Sequence, residues 1–342
     1  MPVFFLSSRA KVRYTLMKYG IPANPLHRRG GRGFTQINRI PYMPRPGWVA
    51  PKVFLLSSHS MAILIADSGS TKCEWRVVTS RKTESVFTQG MSPYFLTPGE
   101  MAAVIHNELF PQVKNLRPDA IYFYGTGNKA PENARKTAQM LRSVFPGAKV
   151  SVDHDLIGAA RALCGHEKGI ACILGTGSNS CYYDGKKVKK NSPGIGYVLG
   201  DEGSGAYLGK KIIQYYLYDI FEKELKDKFD KQFKADAAAI LENVYRKPLP
   251  NRYLASFTTF LSANRGHYMI ENIIEDGLND FFANHLVRYK ESHKYPVHFT
   301  GAIAWHFKDV VAELCKVYGF ELGTILKNPM EGLVKYHKNS IQ

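Results

Sequence analysis

The sequence has 342 residues, which is enough for about two domains that can each bury a core. No segment approaches about 18 uninterrupted apolar residues, so we expect no membrane-spanning helix. Five scattered cysteines without Cys-x-x-Cys spacing indicate reduced, buried thiols in a cytoplasmic protein, and they argue against a zinc or iron–sulfur site.

The formal net charge of +17 is unevenly distributed. Residues 1–60 hold ten Lys and Arg and no Asp or Glu, which leaves 36 basic and 29 acidic residues in the remainder. Pro and Gly clusters and the lack of a sustained period indicate that 1–60 is a basic disordered extension. Met61 could be the true start, which would make the extension a start-site artefact. The alternatives are an RNA-binding arm and an organelle transit peptide. We expect no nucleic-acid binding by 61–342.

Strand and helix patterns alternate from Met61 onward. In the first half we predict strands at 63–66, 75–78, 85–88, 120–124 and 150–153, and helices at 97–109, 132–145 and 155–164. In the second half we predict a strand hairpin over 169–183, a strand at 297–300, and helices at 204–221, 234–246, 250–263, 267–290, 303–318 and 329–337. We expect Leu208, Ile212, Tyr216 and Ile220 to face inward. This alternation is typical of an α/β fold with a substantially parallel core.

The stretch 63–75 reads as a strand, a tight turn and a second strand. Asp67 stands where the first strand ends, and Gly69 lets the backbone come close to a ligand. The hydroxyl and N–H groups of Ser68, Ser70 and Thr71 are the donors that a phosphate needs. Lys72 could neutralise phosphate charge or could be a solvated hairpin lysine. An ordinary β-hairpin with an exposed Asp is the alternative.

A second copy of this unit occurs at 171–183. Gly69-Ser70-Thr71-Lys72-Cys73 and Gly177-Ser178-Asn179-Ser180-Cys181 align without a gap. Two such units suggest two related halves that each present one loop to a shared cleft. Chance similarity of two Gly/Ser turns is the alternative.

Three glycine turns after strands, at 67–72, 175–180 and 300–302, suit phosphoryl transfer. Asp155, at a helix start, is the candidate base for an acceptor hydroxyl, with Asp153 as its rival. Asp155 could instead be a helix-capping acid, and the pair Asp201-Glu202 could be a turn and helix cap. Neither a Walker A motif nor a Rossmann fingerprint is present.

Residues 61–342 resemble the BadF/BadG/BcrA/BcrD-type ATPase family, and within it the N-acetylglucosamine kinase-like branch of the actin/hexokinase superfamily. The motifs that carry the resemblance are 65–72, 174–179, 200–204 and 300–304. The resemblance implies a two-lobed actin-like ATPase with duplicated ribonuclease H-like domains. The lobes would be 61–165 and 166–328, and a C-terminal helix at 329–342 would return to the first lobe.

The resemblance also implies ATP and Mg²⁺ between the lobes, with Asp67 holding Mg²⁺ through water. Nucleotide contacts would come from Asp67, Gly69, Ser70, Thr71, Lys72, Gly175, Thr176, Gly177, Ser178, Gly301 and Ala302. The sugar would be bound by Ser92, Thr126, Gly127, Asp201 and Glu202. Asp155 would accept the proton of the 6-hydroxyl of N-acetylglucosamine.

One departure concerns the sugar. This branch is expected to carry an Asn where this chain has Ser92, so a related amino sugar is an open alternative. Two other functions compete, an iron–sulfur ATPase activator of a dehydratase or reductase and a non-catalytic actin-like ATP-binding regulator. The cluster cysteines of the activators are not found here, and Asp155 argues against the regulator. We expect a cytoplasmic homodimer whose ligand is a small-molecule sugar.

Overall fold

The computed structural model describes residues 62–69, 72–113, 116–234 and 236–338. The predictions for the extension 1–60 and for Ser70 and Thr71 lie outside these residues. Most of the predicted C-terminal segment 329–342 lies within them.

The first sheet has five strands in the order β3-β2-β1-β4-β5. β1 pairs antiparallel with β2 and parallel with β4, so the hairpin lies on one side of β1 and the crossovers on the other. The strands are β1 (Ala62–Ser68), β2 (Lys72–Thr79), β3 (Thr83–Gln89), β4 (Ala120–Gly125) and β5 (Lys149–Asp153). The intervening helices are α1 (Pro98–Val104), which continues into a π-helical turn (Ile105–Leu109), and α2 (Pro131–Val144).

The second sheet repeats this layout, with the order β10-β9-β6-β7-β8. Again the first strand of the unit pairs antiparallel with its hairpin partner and parallel with the strand that follows the crossover. The strands are β6 (Lys168–Leu174), β7 (Ser178–Asp184), β8 (Val188–Asn191), β9 (Val297–Thr300) and β10 (Leu322–Leu326). This identity of strand order confirms the duplication that the repeated turn predicts.

Helix α3 (Asp155–Cys164) joins the two sheets, and the helices that follow it pack around the second sheet, except the last, which packs against α3 and the first sheet. They are α4 (Gly196–Leu199), α5 (Gly205–Leu217), α6 (Lys223–Phe233), α7 (Ala237–Tyr245), α8 (Pro250–Ser256), α9 (Thr258–Ala263), α10 (Tyr268–Asn284), α11 (Ala302–His306), α12 (Lys308–Tyr318) and α13 (Met330–His337). Two 3₁₀ turns follow α10, at Leu286–Arg288 and Lys290–His293. None of the described helices is long and apolar enough to cross a membrane.

The elements predicted for the first half are confirmed, including the capping box in which Thr97 and Glu100 bond each other's backbone. The second half departs from the prediction in the following places. β8, α4, α6 and β10 were not predicted, since α6 has only three large apolar residues among lysines and acids and the others are short. The helix predicted over 204–221 ends at Leu217 because Asp219 adopts a left-handed φ of 56°. Ile220 is therefore 45% exposed and does not face inward.

Helix α13 packs against α3 and the first sheet. The imidazole Nε2 of His337 lies 2.7 Å from the hydroxyl of Tyr124, and its ring stacks on Tyr122 with centroids 3.7 Å apart. Arg161 on α3 donates to the same Tyr124 hydroxyl at 2.9 Å and to Asp153 at 2.7 Å. This buried polar cluster connects α13, α3 and the first sheet.

His337 makes the fold sensitive to acid. Burial, followed by the nearby Arg161 charge, lowers the pKa of His337 from 6.5 to about 4. The unfolded chain therefore binds this proton more readily, and stability falls as the pH falls from about 6.5 to about 4. We expect His337→Gln, which cannot titrate, to lose less thermal stability than the wild type between pH 7 and pH 4.5. The control is His306→Gln at an exposed position. Parallel melting-temperature curves for all three proteins would contradict this assignment.

Candidate functional site

A cleft of about 640 Å³ opens where the strands of both sheets end. Its first-lobe wall carries the end of β1, the start of α3 and the loop after β4. Its second-lobe wall carries the β6–β7 turn, the end of β9 and the start of α8. Eleven predicted residues line it, namely Asp67, Gly69, Lys72, Thr126, Asp155, Gly175, Thr176, Gly177, Ser178, Asp201 and Gly301.

The first-lobe turn is fixed by backbone pairing and one buried hydroxyl. The N–H of Gly69 donates to the carbonyl of Lys72 at 3.0 Å, and the N–H of Met91 donates to Ser68 Oγ at 2.8 Å. The ammonium of Lys72 lies 3.9 Å from the centre of the Phe87 ring. The two residues that flank the turn are thus paired with each other, and the Lys72 side chain packs on Phe87 of the neighbouring strand β3.

Asp67 and Asp155 form an acidic pair on this wall. Burial first, and then the Asp155 charge, raise the pKa of Asp67 from 3.8 to about 7. Asp67 is partly buried rather than the exposed Asp of an ordinary hairpin. Asp155 accepts hydrogen bonds from Thr126 Oγ1 at 3.0 Å and from the N–H of Leu156 at 2.8 Å, which orient its carboxylate.

The second-lobe turn is packed against the N-terminus of α5. The N–H groups of Gly205 and Ala206 donate to the carbonyls of Gly175 and Thr176 at 2.8 and 3.0 Å. Gly301 has a φ of 119°, and a Cβ there would lie 2.2 Å from the carbonyl oxygen of Leu174. Only glycine fits at this position, because both the backbone angle and the close approach exclude a side chain.

Two buried hydroxyls on this wall lack hydrogen-bond partners. Among the described residues, Ser178 Oγ and Thr300 Oγ1 have none, and both residues line the cleft. Buried polar atoms are normally paired, so a ligand with acceptor or donor oxygens would complete these two. Thr300 was not among the predicted site residues, although it belongs to the 300–304 motif.

In the Asp201-Glu202 pair, the carboxylate of Asp201 lines the cleft and that of Glu202 does not. Burial raises the pKa of Asp201, opposed by a hydrogen bond from the N–H of Ser178. Glu202 instead bonds His285 Nε2 at 3.0 Å, and this hydrogen bond lowers the pKa of Glu202.

Four predicted positions lie off the cleft lining: Ser92, Gly127, Glu202 and Ala302. Ser92 is fully buried, and its hydroxyl would be 3.0 Å from a Cβ at Gly127. Ser92 therefore packs against the loop after β4.

Two cations that sequence reasoning missed, Arg252 at the start of α8 and Lys327 after β10, line the second-lobe wall. Both are exposed, and neither lies near a recognisable motif. Lys129 in the loop after β4 donates to Asn191 at the end of β8 at 2.7 Å, which links the lobes at the cleft.

No family model matches this chain, and no curated protein matches it. Among solved structures, the "Putative N-acetylglucosamine Kinase" of Porphyromonas gingivalis is 39% identical, with a TM-score of 0.78 over 81% of this chain and 99% of that chain. A protein of the same name from Chromobacterium violaceum is 18% identical, with a TM-score of 0.66 over 82% of this chain and 99% of that chain. The predicted two-lobed, duplicated actin-like fold is confirmed. The resemblance to the BadF/BadG/BcrA/BcrD-type family stays a prediction.

The raised pKa of Asp67 means that its ionisation opposes folding. Stability should fall as the pH rises from about 4 to about 7, because the unfolded carboxyl loses its proton first. We expect Asp67→Asn to increase the free energy of unfolding by roughly 1–3 kcal/mol at pH 8 and by much less at pH 4.5. Urea denaturation at the two pH values measures this difference. As a control, Asp184→Asn alters an exposed carboxylate whose pKa is lowered by backbone N–H groups, and it should give no gain at pH 8. Equal stabilities of the wild type and Asp67→Asn at pH 8 would refute the prediction.

Proposed function

The chain belongs to the family of the Porphyromonas gingivalis protein compared above, and from this premise we propose that it is an ATP-dependent sugar kinase. The acceptor in this proposal is the 6-hydroxyl of N-acetylglucosamine or a related amino sugar. The observation that carries the proposal is the meeting of two glycine turns and two carboxylates, Asp67 and Asp155, in one inter-lobe cleft.

The charge distribution of the cleft suits a magnesium nucleotide. Arg252, Lys327 and the unpaired hydroxyls of Ser178 and Thr300 would contact the phosphates and ribose from the second lobe. Magnesium takes oxygen ligands and keeps several waters, so one carboxylate and the phosphates suffice to hold it. No group of three or more metal-ligating side chains occurs in the described part of the chain, which fits retention by Asp67 through water. When bound, Mg²⁺ would neutralise phosphate charge.

Asp155 is the residue that we assign as the base. Its carboxylate is 38% exposed towards the cleft and is oriented by Thr126, so it can receive the proton of an acceptor hydroxyl. Asp153, the rival, is paired with Arg161 at 2.7 Å and is not part of the cleft lining. Asp201 would hold hydroxyls of the same sugar. Closure of the lobes around both ligands would exclude water and limit wasteful hydrolysis.

The iron–sulfur activator lacks a supporting contact in the cleft. All five cysteines are buried with free thiols, and none of them is part of the cleft lining, so nothing there favours an iron–sulfur activator. The lobe boundaries, the homodimer and the cytoplasmic location stay predictions from the sequence.

The proposed function is tested by ADP release from Mg-ATP with a panel of sugars. The panel is N-acetylglucosamine, glucosamine, N-acetylmannosamine, N-acetylmuramic acid and glucose. We expect strong stimulation by N-acetylglucosamine or one close relative, with the product phosphorylated at the 6-hydroxyl as read by NMR. A flat panel from a protein that still binds ATP would exclude the amino-sugar kinase and would favour a regulator or a different acceptor.

Asp155→Asn should retain ligand binding and lose turnover. The amide oxygen can accept from the N–H of Leu156 and the amide NH₂ can donate to Thr126 Oγ1, but the amide cannot accept the proton, so kcat should fall by about 10²–10⁴-fold. The dissociation constants for ATP and sugar should stay within about threefold of the wild type. The matched variant is Asp153→Asn, which should lower thermal stability through loss of the Arg161 pair and change kcat by less than about tenfold. The reverse pattern of kcat losses would assign the base to Asp153.

A further inference from the structure

One histidine, His285, contacts residues at both ends of the loop that leads into the Asp201-Glu202 pair. We call residues 193–200 the acceptor flap, since the segment leads from Ser192 into Asp201. His285 is 5% exposed and follows the end of α10. Its Nδ1 lies 2.8 Å from Ser192 Oγ, and its Nε2 lies 3.0 Å from Glu202 Oε2. The His285 side chain therefore bridges the residues at the two ends of the flap.

The chemistry of these partners fixes the roles of the two ring nitrogens. An ionised carboxylate only accepts, so Nε2–H donates to Glu202. In the neutral ring Nδ1 then accepts from the Ser192 hydroxyl. A second clamp lies beside the first, because the N–H of Ser192 donates to the hydroxyl of Tyr289 at 2.5 Å and that hydroxyl donates to the carbonyl of Ser180 at 3.0 Å.

This closure fixes the conformation of Asp201. Asp201 has a φ of 55°, a left-handed conformation that costs energy for a non-glycine residue and persists where neighbours impose it. The adjacent Glu202 is the anchored neighbour. In this conformation a carboxylate oxygen of Asp201 would lie 2.9 Å from a Cβ at Gly177, so the Asp201 side chain lies against the second-lobe turn.

The flap exposes three large apolar side chains. Ile195, Val198 and Leu199 are 53%, 67% and 76% exposed. The flap begins close to the cleft lining, since a Cβ at Gly194 would lie 3.7 Å from Asn179 Nδ2. The strand before it ends at Asn191, which receives the bond from Lys129 of the first lobe. A cluster of exposed apolar residues next to a polar cleft is typical of a surface that covers a ligand.

We propose that His285 is a positioning residue that holds the acceptor flap over the sugar. Its two hydrogen bonds, to Ser192 and to Glu202, are called the staple below. The flap tip then covers an apolar N-acyl substituent while Asp201 binds hydroxyls of the same ring. This inference rests on the proposed function and narrows its acceptor to N-acylated amino sugars. It also reassigns Glu202, which anchors the flap through His285 and does not contact the sugar.

The staple is tested on the full chain by hydrogen–deuterium exchange and steady-state kinetics. In His285→Leu we expect exchange in 193–200 to become at least tenfold faster, the acceptor KM to rise at least tenfold and the KM for ATP to stay within twofold. His285→Gln, whose amide can still donate to Glu202, should give intermediate values. His337→Gln, which alters a buried histidine bond far from the flap, should leave flap exchange and acceptor KM unchanged.

The flap tip is tested by selectivity. The double variant Val198→Ser/Leu199→Ser keeps the hydrogen bonds of His285 to Ser192 and Glu202, so exchange in 193–200 should stay as slow as in the wild type. Its preference for N-acetylglucosamine over glucosamine, as the ratio of kcat/KM values, should fall about five- to tenfold. An unchanged ratio would overturn the assignment of the tip to the N-acyl group.

The remaining outcomes separate this inference from the proposed function. Unchanged flap exchange in His285→Leu, or an ATP KM that rises as much as the acceptor KM, would overturn the staple while leaving the kinase intact. If His285→Leu does not fold, Ser192→Ala and Glu202→Ala each remove one half of the staple, and the same exchange criterion applies. A wild-type protein that phosphorylates no sugar would overturn both the proposed function and the acceptor role of the flap.

Discussion

The close approach of both sheets to helix α3 is the constraint on which the cleft depends. One face of α3 packs Leu156 and Ala160 against the second sheet, and the opposite face packs Ile157 against the first. Small residues make this possible, since a Cβ at Gly158 would lie 2.9 Å from the Tyr124 ring. A helix with larger side chains would separate the lobes. Because Asp155 is the first residue of α3, the same packing that joins the lobes also sets the position of the candidate base.

The parts of the site that the sequence predicts are those encoded by local pattern. A strand followed by a glycine turn can be recognised in the sequence at Asp67 and again at Gly175. Parallel strands then bring their carboxyl ends to the same edge of the sheet. Arg252, Lys327 and His285 could not be found this way, because each reaches the site from a segment with no motif of its own. The left-handed Asp201 and Asp219 also lack a sequence signal, which explains why the predicted helix ran past Leu217. Ser92 is fully buried and lies off the cleft lining, and its predicted contact with the sugar stays a prediction.

The charged groups of the cleft reduce the stability of the unliganded protein. Asp67 and Asp155 repel each other on one wall, while Arg252 and Lys327 stand exposed on the other without compensating them. A ligand that carries phosphates and a cation would satisfy both walls together. The unliganded protein therefore stores an electrostatic cost that binding can recover, and folding and binding are thermodynamically linked at this cleft.

The docking of α13 has a consequence for synthesis of the chain. Met330 and Leu333 cover Ile63 and Ile65 on the first strand, and a Cβ at Gly332 would lie 2.3 Å from the carbonyl oxygen of Ala162. The first lobe precedes α13 in the chain, so one face of its central strand stays uncovered until α13 has left the ribosome. The two lobes therefore cannot mature as independent units during translation, and the nascent first half presents an apolar surface throughout synthesis of the second.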